Sequence, residues 1–385
     1  MPFEFATATR IIVGSGSLKE AGPLARTCGR RALVVTGSNP ARAERLIKLL
    51  QEAGVSSAIF PVTGEPAIAT VKAGVALAKT DRCEFVISFG GGSVIDAGKA
   101  IAAMITNPGE VLDYLEVVGR GKSLPQSPAP FIAIPTTAGT GAEVTRNAVL
   151  ASPENRVKVS LRSPLMLPKV ALVDPELTLG LPREITAASG LDALTQLIEP
   201  YLSCRANPMT DALCVEGIRR AARSLRRCCE DGRNLAARED MAIASLFSGM
   251  ALANAGLGAV HGFAGPIGGM FPAPHGAVCA ALLPHVMAVN LRAVRQRAAS
   301  SSPLQRFEEV ARLLTADPHA NADDGVRWLE VLVRDLQIPS LSRYGITPAH
   351  ADELVQKATA ASSMKGNPLP LTADELKAIL LNALD

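Results

Sequence analysis

The amino-acid sequence predicts an α/β domain with a parallel sheet, followed by an all-helical domain. Three observations lead to this fold class. Short apolar runs alternate with helical segments in the first half, Ala-rich helical segments fill the second half, and 385 residues exceed the usual size of one domain. We place the boundary so that residues 1–182 form the α/β domain and residues 183–385 form the helical domain.

The α/β prediction depends on strands and helices in alternating order. Apolar runs that stop at Gly, Pro or a polar residue predict buried strands, and amphipathic segments between them predict helices. After a short first strand that ends before Gly14, the predicted strands are 31–36, 56–62, 85–89, 131–135 and 170–173, with helices at 40–54 and 67–79. Strands separated by helices at this spacing are typical of a parallel sheet.

The pattern becomes helical after residue 182. Ala-rich segments predict helices at 186–202, 211–229, 234–253 and 278–290, with Pro or Gly in their connections. No internal repeat interrupts them. We therefore expect helices to continue to the C-terminus.

Composition excludes several classes of protein. Hydrophobic residues make up 48% of the chain, so it is not disordered, and a net charge of +3 argues against a nucleic-acid binder. No apolar run reaches 18 residues, so we predict no membrane span. Residues 1–10 lack the basic and then apolar pattern of a signal peptide, so we expect none. The seven cysteines contain no Cys-x-x-Cys pair, which favours buried thiols in a reducing cytoplasm over disulfides or a zinc ribbon.

A glycine-rich segment follows the predicted strand 85–89 and opens a predicted helix. Its sequence, GGGSVIDAGK, allows the backbone to approach an anion closely, and the helix start offers unpaired N–H groups. We expect a pyrophosphate there, with Asp96 and Lys99 near the ribose and ring of a dinucleotide. The earlier pair Gly14 and Gly16 lacks the rest of a dinucleotide fingerprint and is interpreted as a turn.

A second polar loop, PTTAGTGAEVT, follows the strand 131–135. Its threonine hydroxyls and glycine amides suit contacts with a phosphate or with the nicotinamide amide.

Rare residues also cluster in the helical half. Three of the five histidines, His261, His275 and His285, lie close together in sequence. Asp192 and Gln196 are spaced i, i+4 and share a helix face. Asp192, Gln196, His261 and His275 together could supply the four ligands of Fe²⁺ or Zn²⁺. An ordinary buried pair of Asp192 and Gln196 remains the alternative.

Several motifs in family order resemble the iron-containing (group III) alcohol dehydrogenase family across essentially the whole chain. They are GGGSVIDAGKA, IPTTAGTGAEVT, ALVDPELT, GLDALTQLIEPY, NAGLGAVHGFAGPIGG and PHG. The resemblance implies a dehydroquinate synthase-like architecture, an active site in the cleft between the domains, and hydride transfer between NAD(P) and an alcohol, aldehyde or ketone. It also implies a bound metal, Fe²⁺ or Zn²⁺, and a homo-oligomer, commonly a dimer.

The resemblance also implies roles for individual positions. The cofactor positions are Gly91, Gly92, Ser93, Asp96, Thr136, Thr137, Thr140, Lys158, Thr178 and Leu179. The metal positions are Asp192, Gln196, His261 and His275. Asp192, His261, His275 and Lys158 are the predicted catalytic residues.

Two positions depart from the family pattern at the metal site. Gln196 stands where the family usually has a histidine ligand, and an amide oxygen is a poorer donor to Fe²⁺ or Zn²⁺. Gly265 stands where the family usually places a histidine near the substrate. A metal-free reductase of keto-acids of the maleylacetate type, or a cofactor-binding protein without catalysis, therefore remain alternatives. Glycerol dehydrogenase-like and dehydroquinate synthase-like relatives share the architecture but fit the motifs less well.

A third departure concerns the cofactor. Many NAD-preferring members have an Asp at the end of the second strand, where this chain has Gly37 followed by Ser38. Without that carboxylate we expect NADP(H) to be tolerated, with Ser38, Asn39 and Arg42 near the 2′-phosphate.

Overall fold

The computed structural model describes residues 2–298 and 300–385, which form two units. The sheet unit consists of Thr7–Thr137 and Gly141–Leu179. The helical unit consists of Gly180–Asp385, the N-terminal residues up to Ala6, and the short piece Ala138–Thr140. The predicted fold class is confirmed, since one unit is built on a parallel sheet and the other is helical. The exact boundary at residues 182 and 183 stays a prediction.

The sheet unit contains six parallel strands and one separate hairpin. The strands are β1 Arg10–Val13, β2 Arg31–Thr36, β3 Ser56–Pro61, β4 Phe85–Gly90, β5 Phe131–Pro135, β6 Asn147–Ser152, β7 Val157–Arg162 and β8 Val170–Val173. The parallel sheet has the order β1-β8-β5-β4-β2-β3, and β6 pairs with β7 in the antiparallel hairpin. This hairpin is not among the elements predicted from the sequence.

Helices cover the sheet, which explains why its strands are apolar runs rather than alternating patterns. They are α1 Ala21–Arg26, α2 Glu44–Glu52, α3 Ile68–Thr80, α4 Gly92–Thr106 and α5 Val111–Tyr114. Every residue of β4 is buried, as expected for a central parallel strand covered on both faces.

The strand order brings three carboxyl ends together. Thr36 at the end of β2 is paired with Phe89 of β4, and Gly90 of β4 is paired with Pro135 of β5. Because β3 lies on one side of β2 and β4 on the other, the strand order reverses between β2 and β4. Ligands of open α/β sheets bind outside the carboxyl ends at such a reversal.

The helical unit contains nine α-helices in its described part. They are α6 Arg183–Leu202, α7 Pro208–Glu230, α8 Leu235–Ala255, α9 Ala259–Met270, α10 His275–Arg297, α11 Ser302–Thr315, α12 Ala322–Asp335, α13 Ala351–Ala360 and α14 Ala373–Asn382. The four predicted helices are present as α6, α7, α8 and α10, with shifted ends. Asn207 accepts hydrogen bonds from the amides of Met209 and Thr210, which explains the start of α7 after an Asn-Pro pair.

Helices α6 and α10 form the core of this unit and are apolar on most faces. Among the described residues, α10 is long and apolar enough to cross a bilayer, as are α8 and α9 taken together, although these two are bent by 99°. Most of α10 is buried inside the unit, which is typical of a core helix.

Candidate active site

The glycine-rich segment forms the junction between β4 and α4. Gly91 is the N-cap of α4 and has an extended backbone, with φ −77° and ψ −173°. A Cβ atom at Gly90 would lie 2.6 Å from Cγ2 of Val94, and one at Gly91 would lie 3.3 Å from Oγ1 of Thr137. Side chains would therefore crowd this turn. The start of α4, which includes Gly92 and Ser93, presents backbone N–H groups suited to an anion.

The second predicted loop begins beside this junction. The amide of Thr136 donates a hydrogen bond to the carbonyl of Gly90 at 3.0 Å, so the ends of β4 and β5 are joined directly. Thr137 faces Gly91, as the Cβ contact shows. Thr140 belongs to the helical unit, whereas Thr136 and Thr137 belong to the sheet unit.

The remaining predicted cofactor positions lie at other strand ends of the sheet unit. Gly37 and Ser38 follow β2, and a Cβ atom at Gly37 would meet nothing within 4 Å. Thr178 ends the 3-10 helix after β8 and donates its hydroxyl to the carbonyl of Pro175 at 2.8 Å. Leu179 follows it and is half-buried.

Gly14 and Gly16 form a turn, as interpreted from the sequence. Both have positive φ, at 153° and 76°. Asp174 accepts hydrogen bonds from the amides of Gly16 and Leu18, at 3.1 and 3.0 Å. The segment is thus held against the end of β8.

The expectation that Lys99 contacts a cofactor is wrong. Its side chain is buried, and its ammonium donates to the carbonyls of Ala142 and Asn147 at 2.8 and 2.7 Å and to the hydroxyl of Thr145 at 2.9 Å. Burial lowers the pKa of Lys99 to about 8, although the nearby carboxylates of Asp96 and Glu143 act to raise it. Lys99 therefore fastens the loop before β6 to α4.

Lys158 lies on β7 of the hairpin. Its ammonium is 2.8 Å from a carboxylate oxygen of Glu65, and its side chain is nearly buried. Lys158 belongs to the sheet unit, whereas the four predicted metal ligands belong to the helical unit.

Four potential ligand atoms converge in the helical unit. They belong to Asp192 on α6, His261 in the first turn of α9, and His275 and Cys279 in the first turns of α10, and they all lie within 4.8 Å of one another. Oδ1 of Asp192 is 3.4 Å from Nε2 of His261 and 3.7 Å from Nε2 of His275. Sγ of Cys279 is 3.7 Å from each of the same nitrogens. We call these four residues the cage.

Close backbone contacts bring the helices of the cage together. Gly276 follows His275, and a Cβ atom there would lie 2.5 Å from the carbonyl oxygen of Ala188 on α6. Only glycine allows α10 to begin so near α6. A Cβ atom at Gly258, just before α9, would lie 2.9 Å from Oε1 of Glu199.

Glu199 orients one imidazole of the cage. Nδ1 of His261 donates to Oε2 of Glu199 at 2.6 Å, which leaves Nε2 as the nitrogen that faces Asp192 and Cys279. Burial disfavours the charged form of His261, but Cys279, Glu199 and Asp192 outweigh it and raise its pKa well above the ordinary value. A carboxylate behind a histidine is the usual support of a metal-binding imidazole.

The polar atoms of Asp192 and Gln196 suit a cation. Oδ1 of Asp192 and Oε1 of Gln196 are buried and have no hydrogen-bond partner among the described residues. Nε2 of Gln196 lies 3.5 Å from the carbonyl of Gly139. Burial works against ionisation of Asp192, but the nearby imidazoles of His275 and His261 hold its pKa below the usual value. An ionised, unpartnered oxygen between two imidazole nitrogens fits a divalent ion.

Glu199 and Cys279 are not among the site residues predicted from the sequence. Helical spacing is the signal that could have found them, because Glu199 is seven residues after Asp192 and Cys279 is four residues after His275, so each shares a helix face with a predicted ligand. At Gly265, where the resemblance leads us to expect a histidine, an added Cβ atom would meet nothing within 4 Å.

Comparison with known proteins agrees with this geometry. The family model described as iron-containing alcohol dehydrogenase matches residues 8–175, and its C-terminal counterpart matches residues 186–384. The chain is 37% identical over 362 residues to the 1,3-propanediol dehydrogenase of Klebsiella pneumoniae, covering 92% of each protein. It is 35% identical over 379 residues to the NAD-dependent methanol dehydrogenase of Bacillus methanolicus, covering 97% of each.

Among solved structures, a 1,3-propanediol oxidoreductase superposes with a TM-score of 0.91 at 34% identity, covering 99% of both chains. The fold, the motifs and the relatives agree over the full length of both units. The chain belongs to the iron-containing alcohol dehydrogenase family, and it is an oxidoreductase that interconverts an alcohol and an aldehyde or ketone.

Proposed function

We propose that the chain transfers hydride between NAD(P) and a small alcohol or aldehyde, assisted by a divalent ion held by Asp192, His261 and His275. The observation that carries this proposal is the buried, unpartnered Oδ1 of Asp192, which lies 3.4 and 3.7 Å from two imidazole nitrogens. The fourth protein ligand is either the amide oxygen of Gln196, which the sequence predicts, or the sulfur of Cys279.

Each unit contributes different groups to this reaction. In the sheet unit, the backbone amides from Gly91 to Ser93 would hold the cofactor diphosphate. Further cofactor contacts are proposed for Asp96, Thr136, Thr137, Thr140, Lys158, Thr178 and Leu179. In the helical unit, Glu199 holds His261 in the ligand tautomer. A bound divalent ion supplies Lewis acidity toward the substrate oxygen. Gly265 has no side chain that could act as an acid. We therefore propose that the proton reaches the substrate oxygen through water and the cofactor ribose.

Both NADH and NADPH should be accepted. The carboxyl end of β2 bears Gly37 and the exposed Ser38, and neither repels a 2′-phosphate. Arg42 is exposed on the following turn and offers a positive charge, whereas the side chain of Asn39 accepts a hydrogen bond from the amide of Ala41. The relative from Bacillus methanolicus is named as NAD-dependent, which supports NADH as one of the two cofactors.

The alternative function is metal-free reduction of a keto-acid, motivated by Gln196 and Gly265. One experiment distinguishes the metal-assisted function from the metal-free one. The protein is purified anaerobically and loaded with Fe²⁺ or Zn²⁺, and the bound ions per chain are counted. NAD(P)H oxidation is then followed with aldehydes and with keto-acids as substrates. About one ion per chain, with aldehyde turnover that a chelator abolishes, supports the proposal. Keto-acid turnover that a chelator leaves intact supports the alternative, and no turnover on any carbonyl would contradict both. The dimer and the cytoplasmic location stay predictions.

A further inference from the structure

We infer that Cys279 supplies a sulfur ligand to the ion and takes the fourth position of the cage. The inference rests on the proposed metal site and names the donor that replaces the missing imidazole at Gln196. Cys279 is fully buried on the first turns of α10, one turn after His275. Its Sγ faces the same two nitrogens that face Asp192.

The distances between ligand atoms match the edges of a tetrahedron around one ion. Zinc lies about 2.0–2.2 Å from nitrogen or oxygen and about 2.3 Å from sulfur, so tetrahedral geometry requires edges of about 3.3 Å between nitrogen and oxygen and about 3.6 Å between nitrogen and sulfur. The corresponding edges here are 3.4 and 3.7 Å for Asp192 and 3.7 Å twice for Cys279. Four of the six edges therefore agree with a tetrahedral site, and the other two, between the two imidazole nitrogens and between Oδ1 and Sγ, are at most 4.8 Å.

Gln196 is less suited to the fourth position. Its amide nitrogen lies 3.5 Å from the carbonyl oxygen of Gly139. A neutral amide oxygen is a poorer ligand of Zn²⁺ or Fe²⁺ than a thiolate is of Zn²⁺. We therefore assign the fourth position to Cys279 and not to Gln196.

Charge and softness also favour the sulfur. On binding, the thiol of Cys279 releases its proton to solvent, and its thiolate together with the carboxylate of Asp192 neutralises a divalent ion. A thiolate favours Zn²⁺ over harder ions such as Mg²⁺ or Mn²⁺. The alternative for the same distances is a weak hydrogen bond from the thiol to a neutral imidazole.

The inference is tested with Co²⁺, whose bond to a thiolate produces a sulfur-to-cobalt charge-transfer band in the near ultraviolet. The full chain, stripped of metal, is titrated with Co²⁺ without oxygen, beside the variants Cys279→Ser and Gln196→Ala. Cys204→Ser is the control, because Cys204 is an exposed free thiol outside the cage. X-ray absorption of the zinc-loaded wild type gives an independent count of sulfur neighbours at about 2.3 Å.

We expect the charge-transfer band in wild type, Cys204→Ser and Gln196→Ala, and its loss in Cys279→Ser. We also expect Cys279→Ser to bind Zn²⁺ at least about 10-fold more weakly than wild type, because changes to outer-sphere partners alone weaken metal binding by about 10–100-fold. Cobalt bound at one ion per chain without the band, or zinc without a sulfur neighbour, would overturn the assignment while leaving the proposed metal site intact. Absence of any bound cobalt in wild type would overturn both.

Discussion

Glu199 and His261 form a short polar contact in the candidate active site, 2.6 Å between Oε2 and Nδ1. The other oxygen of the same carboxylate accepts the amide of Val260 at 2.7 Å, at the start of α9. One carboxylate therefore satisfies an unpaired helix amide and fixes an imidazole at the same time. The position of His261 in the cage depends on both bonds.

Replacing Glu199 by Gln should weaken metal binding by about 10–100-fold. The amide oxygen could still accept from Nδ1 of His261, but the amide nitrogen would then face the N–H of Val260. Zinc affinity measured by competition with a chelator checks this. Glu184→Gln, an exposed change on the same helix α6, is the control and should leave the affinity unchanged. Equal affinities of the two variants would mean that Glu199 does not position His261.

Replacing Asp192 by Asn should remove the anionic oxygen that faces both imidazoles of the cage. We expect zinc affinity to fall by about 100-fold or more, since this change removes a ligand rather than an outer-sphere partner. Metal content by mass spectrometry after dialysis measures the loss. Asp231→Asn, an exposed change in the same unit, is the matched control. Unchanged metal content in Asp192→Asn would contradict the assignment of the cage.

Replacing Gly37 by Asp should shift cofactor preference toward NADH. The added Cβ atom meets nothing within 4 Å, so the carboxylate fits at the end of β2 and repels a 2′-phosphate. We expect the ratio of kcat/KM for NADPH to kcat/KM for NADH to fall about 10-fold, equivalent to roughly 1.4 kcal/mol. The neutral variant Gly37→Asn is the control. If Asn and Asp give the same ratio, the ribose pocket lies elsewhere.

Replacing Glu143 by Gln should change how stability depends on pH. Burial raises the pKa of Glu143 from its ordinary 4.5 to about 7, despite the charge of Lys99. The native state then binds more protons than the unfolded state between these pH values, so wild type loses stability relative to the variant as pH rises through that window. The loss is on the order of 3 kcal/mol at most.

Urea unfolding of wild type and Glu143→Gln at pH 5 and pH 8 measures this difference, with the exposed Glu52→Gln as control. The free energy of unfolding of wild type, relative to that of Glu143→Gln, should be lower at pH 8 than at pH 5. A constant gap would mean that Glu143 is ionised across the range. Lys99 acts in the opposite sense between about 8 and 10.5, where its lowered pKa makes stability rise with pH.

The parallel sheet was largely predictable because its strands are buried on both faces. The runs at 31–36, 131–135 and 170–173 were placed at their observed bounds, since continuous apolar residues end abruptly at the sheet edge. The hairpin of β6 and β7 was missed. Its strands are only partly buried, and its turn uses Arg156 at φ 49° rather than a glycine, so no turn signal marked it.

The site residues could be predicted where sequence spacing indicates which side chains lie close together. They could not be predicted where the packing of one element against another determines the contacts of a side chain. Asp192, His261 and His275 come together as expected, although their functional roles stay predictions. Cys279 joins them because α10 begins against Ala188. Lys99 was assigned wrongly because position on α4 does not reveal which side chain the loop from 142 to 147 covers.

The tripeptide Ala138–Thr140, which belongs to the helical unit, affects how chimaeric proteins can be built from two members of this family. Its carbonyl at Gly139 lies within reach of Gln196 and accepts the hydroxyl of Ser248, both of which lie far along the chain in the helical unit. A hybrid of two relatives joined after Leu179 would inherit this tripeptide from one parent and its surroundings from the other. Successful chimaeras should therefore carry a second exchange at residues 138–140, so that the tripeptide and the helices around it share a parent.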